Sequence, residues 1–347
     1  MVYVHSGDSM EKEQFYKKLK SVPKAEVHLH IEAVPTIKTI QTLYQKYNNE
    51  QMTDSQIAEL FSYSDLNGFI QSFLKIQALY KCPKDFDYIF SDLETYLLEN
   101  NIIYTEAFFA PTAFLKNGFD YSEMVKIFDE KIAQIKEKHG ITIKLLMDVS
   151  RTFGCENAMN NLNLLKKYPS PNIIGIGLGG AEVKGPAKEY EPVYAQAIKD
   201  GLKVVAHAGE DVGPESIWDS LNYLHIQRIG HGISAIQDEK LMEVLKEKQI
   251  PLEVCPTSNV FTKKYVNSIS SHPIKEFYKR GLFVTVNTDD PIFFKTTLTE
   301  EYWKLHNECD FSLEDIKILI LKGFEALFIS EGEKQKYYTQ VENSWKE

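Results

Sequence analysis

KVVAHAGED, residues 203–211, decides how this sequence is read. Val204, Val205 and Ala206 form a short β-rich apolar run that delivers His207, Glu210 and Asp211 as the chain leaves it. In a parallel barrel the strand C-termini and the loops after them carry the chemistry, so an imidazole and a carboxylate at a strand end suit an active site. The same layout recurs along the chain. Eight apolar runs can be counted, at 25–31, 102–109, 142–149, 173–178, 203–207, 227–229, 250–254 and 283–287. Amphipathic stretches separate them, as crossover helices separate parallel strands. The expected fold is α/β, a (β/α)8 TIM barrel forming a single domain over residues 1–347; barrels of this kind keep one continuous core at such lengths.

Helical patterning at 123–138, 156–167, 191–200, 240–248 and 273–279 reads as ordinary barrel helices. A far longer connector, 36–101, follows the first run and has helical patterns at 57–61, 69–80 and 86–98, read as a helical insertion over the barrel mouth. Phe61, Phe69, Phe73 and Leu74 in it suit either a lid or ordinary core packing. Extra C-terminal helices are expected at 313–328, with Ser312 as N-cap, and at 333–346, beneath or beside the barrel.

Bulk properties narrow the partners. Lys plus Arg number 39 against 49 Asp plus Glu, a net charge of −10 that repels a phosphate backbone or an anionic membrane. No nucleic acid or membrane partner is therefore expected, only a small molecule; oligomeric state is left open. Cys82, Cys155, Cys255 and Cys309 are scattered without a Cys-x-x-Cys pair, which signals neither a disulfide framework nor a thiolate metal site. Residues 1–14 are polar and no apolar run is long enough to span a bilayer, so a cytoplasmic location is expected.

The other strand ends repeat what 203–211 shows. His28 and His30 alternate around Leu29, so both imidazoles face one side of a strand, and Glu32 follows. His231 sits between Gly230 and Gly232 after the sixth run, and Asp289 and Asp290 follow the eighth. Each has a plain structural reading: Glu210 against a helix dipole, His231 in a tight glycine loop, Asp289 in an Asx turn before Pro291. Their conjunction at four separate strand ends favours a metal. His28, His30, His207 and Asp289 make an N3O set suited to one Zn2+ per chain, with room for water. Zinc lowers the pKa of bound water to about 7 and so makes hydroxide available at neutral pH. Glu210 can then act as a proton donor, and His231 can hold the hydroxide in line.

Six motifs in order, 24–30 (KAEVHLH), 175–182 (GIGLGGAE), 207–210 (HAGE), 228–232 (RIGHG), 253–259 (EVCPTSN) and 287–291 (NTDDP), resemble the adenosine deaminase branch of the metal-dependent amidohydrolase superfamily over nearly the whole chain. The resemblance implies hydrolytic deamination of a 6-aminopurine nucleoside by a zinc-bound hydroxide. It makes Glu210, His231 and Asp289 catalytic and gives Glu210 the proton shuttle facing purine N1. It further implies that Asp290 contacts N7, that the Gly180 amide contacts N3, that Glu32 lies near the sugar, and that His30 stands against substrate as well as metal. This sequence departs from the family pattern at Ala33, at Gly177 and at Ala110-Pro111, which bears on the sugar or 5′ substituent rather than on metal and proton chemistry.

Arg151, at the third strand end, suits a substrate carboxylate by its planar fork, which would favour aminofutalosine with its benzoate; a bridge between barrel loops through Asp148 is the structural alternative. Free adenine is a further alternative substrate. Other amidohydrolase chemistry, or a catalytically silent binding protein, are the remaining readings. A cytidine-type zinc deaminase is excluded, because Cys255-Pro256 has no second cysteine after it.

Overall fold

The computed structural model describes residues 11–262 and 264–346, so residues 1–10 of the polar stretch 1–14 lie outside the described residues. Eight strands form one parallel sheet in chain order: β1 (Lys24–Glu26), β2 (Ile102–Phe109), β3 (Thr142–Asp148), β4 (Ile173–Gly177), β5 (Lys203–Ala208), β6 (Arg228–His231), β7 (Leu252–Val254) and β8 (Val284–Val286). These are the eight runs expected from sequence, and the fold is a TIM barrel. β1 is shorter than the run 25–31, because the seam with β8 is closed by other means. The Asn287 side-chain oxygen accepts the amides of Val27 and His28, and beyond it the His30 amide donates to the Asp289 carbonyl and the Asp289 amide to that of His28. This seam therefore fixes the backbone of two candidate ligand segments against each other.

The lumen is closed by charge at its lower end. Glu106 of β2, Arg228 of β6 and Glu253 of β7 are fully buried and meet across the barrel interior, since β2 is neighbour to neither β6 nor β7. The chain after the helix Leu313–Glu325 plugs this end: the Ala326 carbonyl accepts from Arg228, the Phe328 amide donates to Glu106, and the Phe328 ring lies 4.0 Å from the guanidinium carbon. The helix Leu313–Glu325 itself packs on β1 and β8, beside the barrel in its outer ring.

The connector 36–101 holds four helices, Ile37–Asn48, Asp54–Leu60, Leu66–Gln77 and Phe86–Glu99. The first was not foreseen; it buries only Thr39, Ile40 and Leu43, a thin apolar stripe for a periodicity reading. The last packs on β2 and on the helix Tyr121–His139, so it belongs to the outer barrel ring, and the true insertion ends before it. Two further helices, Pro214–Tyr223 and Leu298–Glu308, were also unforeseen, although Pro214 at the first helical turn and Thr297 as N-cap are ordinary start signals. Among the described residues no helix is long and apolar enough to cross a membrane.

Lys24 opens β1 fully buried, its ammonium donating to the carbonyls of Leu19 and Val22 at the end of the helix Lys12–Ser21. Burial pulls its pKa down to about 7. The unfolded chain then binds more protons than the folded one between about pH 7 and the ordinary lysine value of 10.5, so stability rises with pH across that window. Lys24→Met is expected to lose this rise; parallel urea titrations of both proteins from pH 7 to 10 check it, and equal slopes would discount the effect.

Candidate active site and metal centre

The upper rim brings together His28 and His30 from the chain after β1, His207 of β5, His231 at the end of β6 and Asp289 after β8, all of them buried. One ligand atom from each of His28, His30, His207 and Asp289 lies within 4.8 Å of the others. Asp289 Oδ1 is 3.3 Å from both His28 Nε2 and His30 Nε2, and His30 Nε2 is 3.3 Å from His207 Nε2. Ligands about 2.0–2.2 Å from one tetrahedral ion are separated by about 3.3–3.6 Å, so the spacing fits a common cation. His28 Nε2 has no hydrogen-bond partner of its own, as expected of an atom reserved for a metal. A second grouping replaces His30 and His207 by His231 and Cys255. It fits less well, because burial pushes the Cys255 thiol up and its Sγ donates to the Glu253 carbonyl.

Each ligand is aimed from behind. His28 Nδ1 donates to Glu253 at 2.7 Å, which leaves Nε2 as the bare nitrogen. Burial pushes the Glu253 carboxyl up, yet the Arg228 guanidinium and His28 together hold it below its ordinary range. The Ser258 hydroxyl donates to Asp289 Oδ2 at 2.7 Å and turns Oδ1 toward the histidines. The Phe108 ring forms the floor, its centroid 4.9 Å from that of His28 and 5.2 Å from that of His30. A Cβ at Gly177 would lie 2.6 Å from this ring, which accounts for the glycine noted in sequence as a departure: it makes room for Phe108. His231 and Asp289 both have positive φ, 62° and 66°, backbone strain of the sort held at functional sites.

Glu210 faces the cavity, and a different carboxylate secures the loop that carries it. Glu182 accepts the amides of Gly209, Glu210, Asp211 and Val212 and the Ser216 hydroxyl, at 2.5 to 3.1 Å. It ties down four successive loop amides ahead of the helix Pro214–Tyr223 and leaves the Glu210 side chain free. Glu210 Oε2 stands 3.4 Å from His231 Nε2. Burial raises the Glu210 pKa well above the ordinary range, and the negative charges of Asp289 and Glu182 raise it further.

These groups open on a cleft between the barrel rim and the insertion. His30, His207, Glu210, His231, Asp289, Asp290 and Gly180 line one side. Leu66, Phe69, Ile70, Phe73 and Leu74 of the insertion, with Phe153, Phe261 and Phe294, make an apolar wall across from them. Phe61 packs on Phe293 instead and does not reach the cleft. Asp290 presents a buried Oδ1 without a partner. Gly180 has φ +91°, and a Cβ there would meet Thr152 Oγ1 at 2.9 Å.

The structure corrects one expectation. Arg151 does not read a substrate: its guanidinium is buried and donates to the carbonyls of Gly185, Leu178 and His207, all at 2.7–2.8 Å. It does bridge barrel loops, through backbone carbonyls rather than through Asp148, whose Oδ1 accepts from Ser150 and Gly179. Glu32 is buried against residues that line the cleft, its Oε1 accepting the Ala110 amide at 2.6 Å and facing the Gln77 amide at 3.5 Å while its Oε2 has no partner. Sequence reading assigned no role to Glu182, Glu253, Ser258, Asn259 or His272. The first four lie inside quoted motifs, a signal that was available; His272 is a lone histidine with none.

A family model described as adenosine deaminase matches residues 23–344. The chain is 33% identical over 326 residues to an adenine deaminase of Crocosphaera subtropica, covering 93% of this chain and 99% of that one. It is 30% identical over 328 residues to an aminodeoxyfutalosine deaminase of Streptomyces avermitilis, covering 93% and 91%. The crystal structure of an adenine deaminase from Arthrobacter aurescens superposes with a TM-score of 0.89 at 28% identity, over 94% of this chain and 100% of that one. A rim of three imidazoles and an aspartate on an eight-stranded barrel, matched over residues 23–344 by the family model, places this chain in the adenosine deaminase family, whose members are metal-dependent hydrolases.

Proposed function

We propose that this chain removes the 6-amino group of a 6-aminopurine by hydrolysis, with zinc as the metal and a nucleoside as the preferred substrate. The observation that carries the reading is the placement of Glu210 beside His231 Nε2, next to the N3O set and in the cleft that Asp290 and Gly180 also line. Nitrogen and carboxylate donors at this spacing suit zinc, which would be held by His28, His30, His207 and Asp289 and would supply an acidified water.

This chain's own residues supply the rest. His231 Nε2 holds the attacking oxygen in line with C6. Glu210, kept protonated by its burial, gives its proton to N1 as the attacking hydroxyl adds to C6, and its carboxylate then carries the proton of that hydroxyl to the 6-amino group, which leaves as ammonia while C6 keeps the oxygen as a carbonyl. Asp290 Oδ1 and the Gly180 amide hold the imidazole and pyrimidine edges of the purine. The wall of phenylalanines supports a substrate that carries a substituent beyond the bare purine. Two relatives favour second readings: the adenine deaminase supports free adenine, and the aminodeoxyfutalosine deaminase supports a nucleoside with an aromatic 5′ extension. Four free cysteines suit a reducing, cytoplasmic setting.

Incubation with adenine, adenosine, methylthioadenosine and aminofutalosine, with ammonia and bound zinc both measured, tests this. The expected result is turnover proportional to zinc content and faster with a nucleoside than with adenine. Faster turnover of adenine would overturn the nucleoside preference, and silence on all four would overturn the reaction.

A further inference from the structure

His272 lies outside every motif and does not line the cleft, yet it is buried and fully hydrogen-bonded. Its Nδ1 is 3.0 Å from the Ile274 amide nitrogen. A backbone amide can only donate, so Nδ1 is a bare acceptor and the ring proton is on Nε2. Nε2 is 3.1 Å from Asn259 Oδ1, and this bond fixes which way the Asn259 amide faces, because its NH2 group cannot accept. Asn259 Nδ2 is in turn 3.1 Å from His231 Nδ1. Since Nδ2 donates, His231 Nδ1 is bare as well, and the His231 proton must sit on Nε2. That is the atom with no partner in the protein, 3.4 Å from Glu210 Oε2 and 3.8 Å from Asp289 Oδ2. A single amide on the helix side of the barrel therefore sets the direction of three successive hydrogen bonds.

We propose that His272, acting through Asn259, is a positioning residue that locks His231 in the tautomer carrying its proton on Nε2, so that His231 meets the attacking oxygen as a hydrogen-bond donor and not as a base. The order of the relay is Ile274 amide, His272, Asn259, His231. Burial pulls the His272 pKa down to about 3, in keeping with a ring that stays neutral within the relay. The proposal rests on the deaminase reading for its kinetic consequence alone; the tautomer follows from the hydrogen bonds.

Nitrogen NMR of the full, zinc-loaded chain with 15N-labelled histidine reads the tautomer directly, the nine histidines being sorted by the loss of single signals in His231→Gln and His272→Gln. The expected spectrum shows His231 and His272 each protonated at Nε2 and bare at Nδ1; a His231 protonated at Nδ1 overturns the proposal. Asn259→Asp offers acceptors to both rings and is expected to move the His231 proton to Nδ1. His272→Phe keeps the volume and cannot donate. It is expected to lower kcat by about 10–100-fold, the usual size of an effect exerted from behind a reacting group, with KM and zinc content held. His272→Gln, which offers one acceptor and one donor, should recover part of the loss. A His272→Phe enzyme with unchanged kcat and an unchanged His231 signal also overturns the proposal. If no 6-aminopurine is turned over, the functional reading fails while the nitrogen spectrum still decides the relay.

Discussion

Glu210→Gln is expected to keep its zinc and its fold and to lose about 10^2 to 10^4 in kcat, the range for removal of a positioned general acid. The amide has the shape of the carboxylic acid and can still donate a hydrogen bond to a ring nitrogen, but it cannot transfer the proton. KM should therefore change little, since ground-state contacts survive. The loop itself is secured by Glu182, which binds four successive amides and does not involve the Glu210 side chain. Misfolding is thus not the expected source of the loss, and metal analysis with circular dichroism on the same sample checks that. The pH profile gives an independent sign. A carboxyl raised by burial stays protonated, and so competent as an acid, through the range where an ordinary glutamate is already ionised. Wild-type kcat/KM should fall as pH climbs through that raised value, and the descending limb should vanish in the variant. Turnover near the wild-type rate would remove Glu210 from the chemistry.

The barrel and its metal set were legible because each depends on a local signal. Eight apolar runs have the length and composition of buried parallel strands, and ligand residues stand at their ends. What stayed hidden depends on partners far away in the chain. The shortness of β1 follows from the Asn287 side chain, 260 residues from Val27, taking two amides that a longer strand would have given to β8. Arg151 looked like a substrate reader because its position at a strand end was visible, while its direction was not; three carbonyls, two in the segment after β4 and one on β5, set that direction. His272 was passed over because a lone histidine has no local mark separating a satisfied ring from one that orders a relay. Gly177 shows the reverse case: its oddity was plain, and its cause was a phenylalanine on β2 beneath the metal set.

The same distance between cause and effect makes Arg228 a vulnerable point of the fold. It lies at the start of β6, one barrel length from the rim, and it is fully buried with Glu106 and Glu253. Arg228→Met should leave two buried carboxylates without a cation, and breaking a buried ion pair from one side costs about 3–5 kcal/mol. The loss cannot stay at the bottom of the lumen. Glu253 Oε1 accepts from Arg228 while its Oε2 accepts from His28, so the carboxylate that aims a metal ligand is itself held by the arginine. Once released and driven to take up a proton, it would no longer fix the His28 tautomer, and zinc affinity should fall by about 10–100-fold. Two measurements separate the effects: the thermal unfolding midpoint with zinc in excess, and competition for zinc with a chelator at a temperature where the variant stays folded. Adding Glu106→Gln to Arg228→Met removes one stranded charge and should return part of the stability but none of the zinc affinity, because only Glu253 touches His28. A variant that loses stability yet holds zinc as tightly as the wild type would break the link between the barrel floor and its rim.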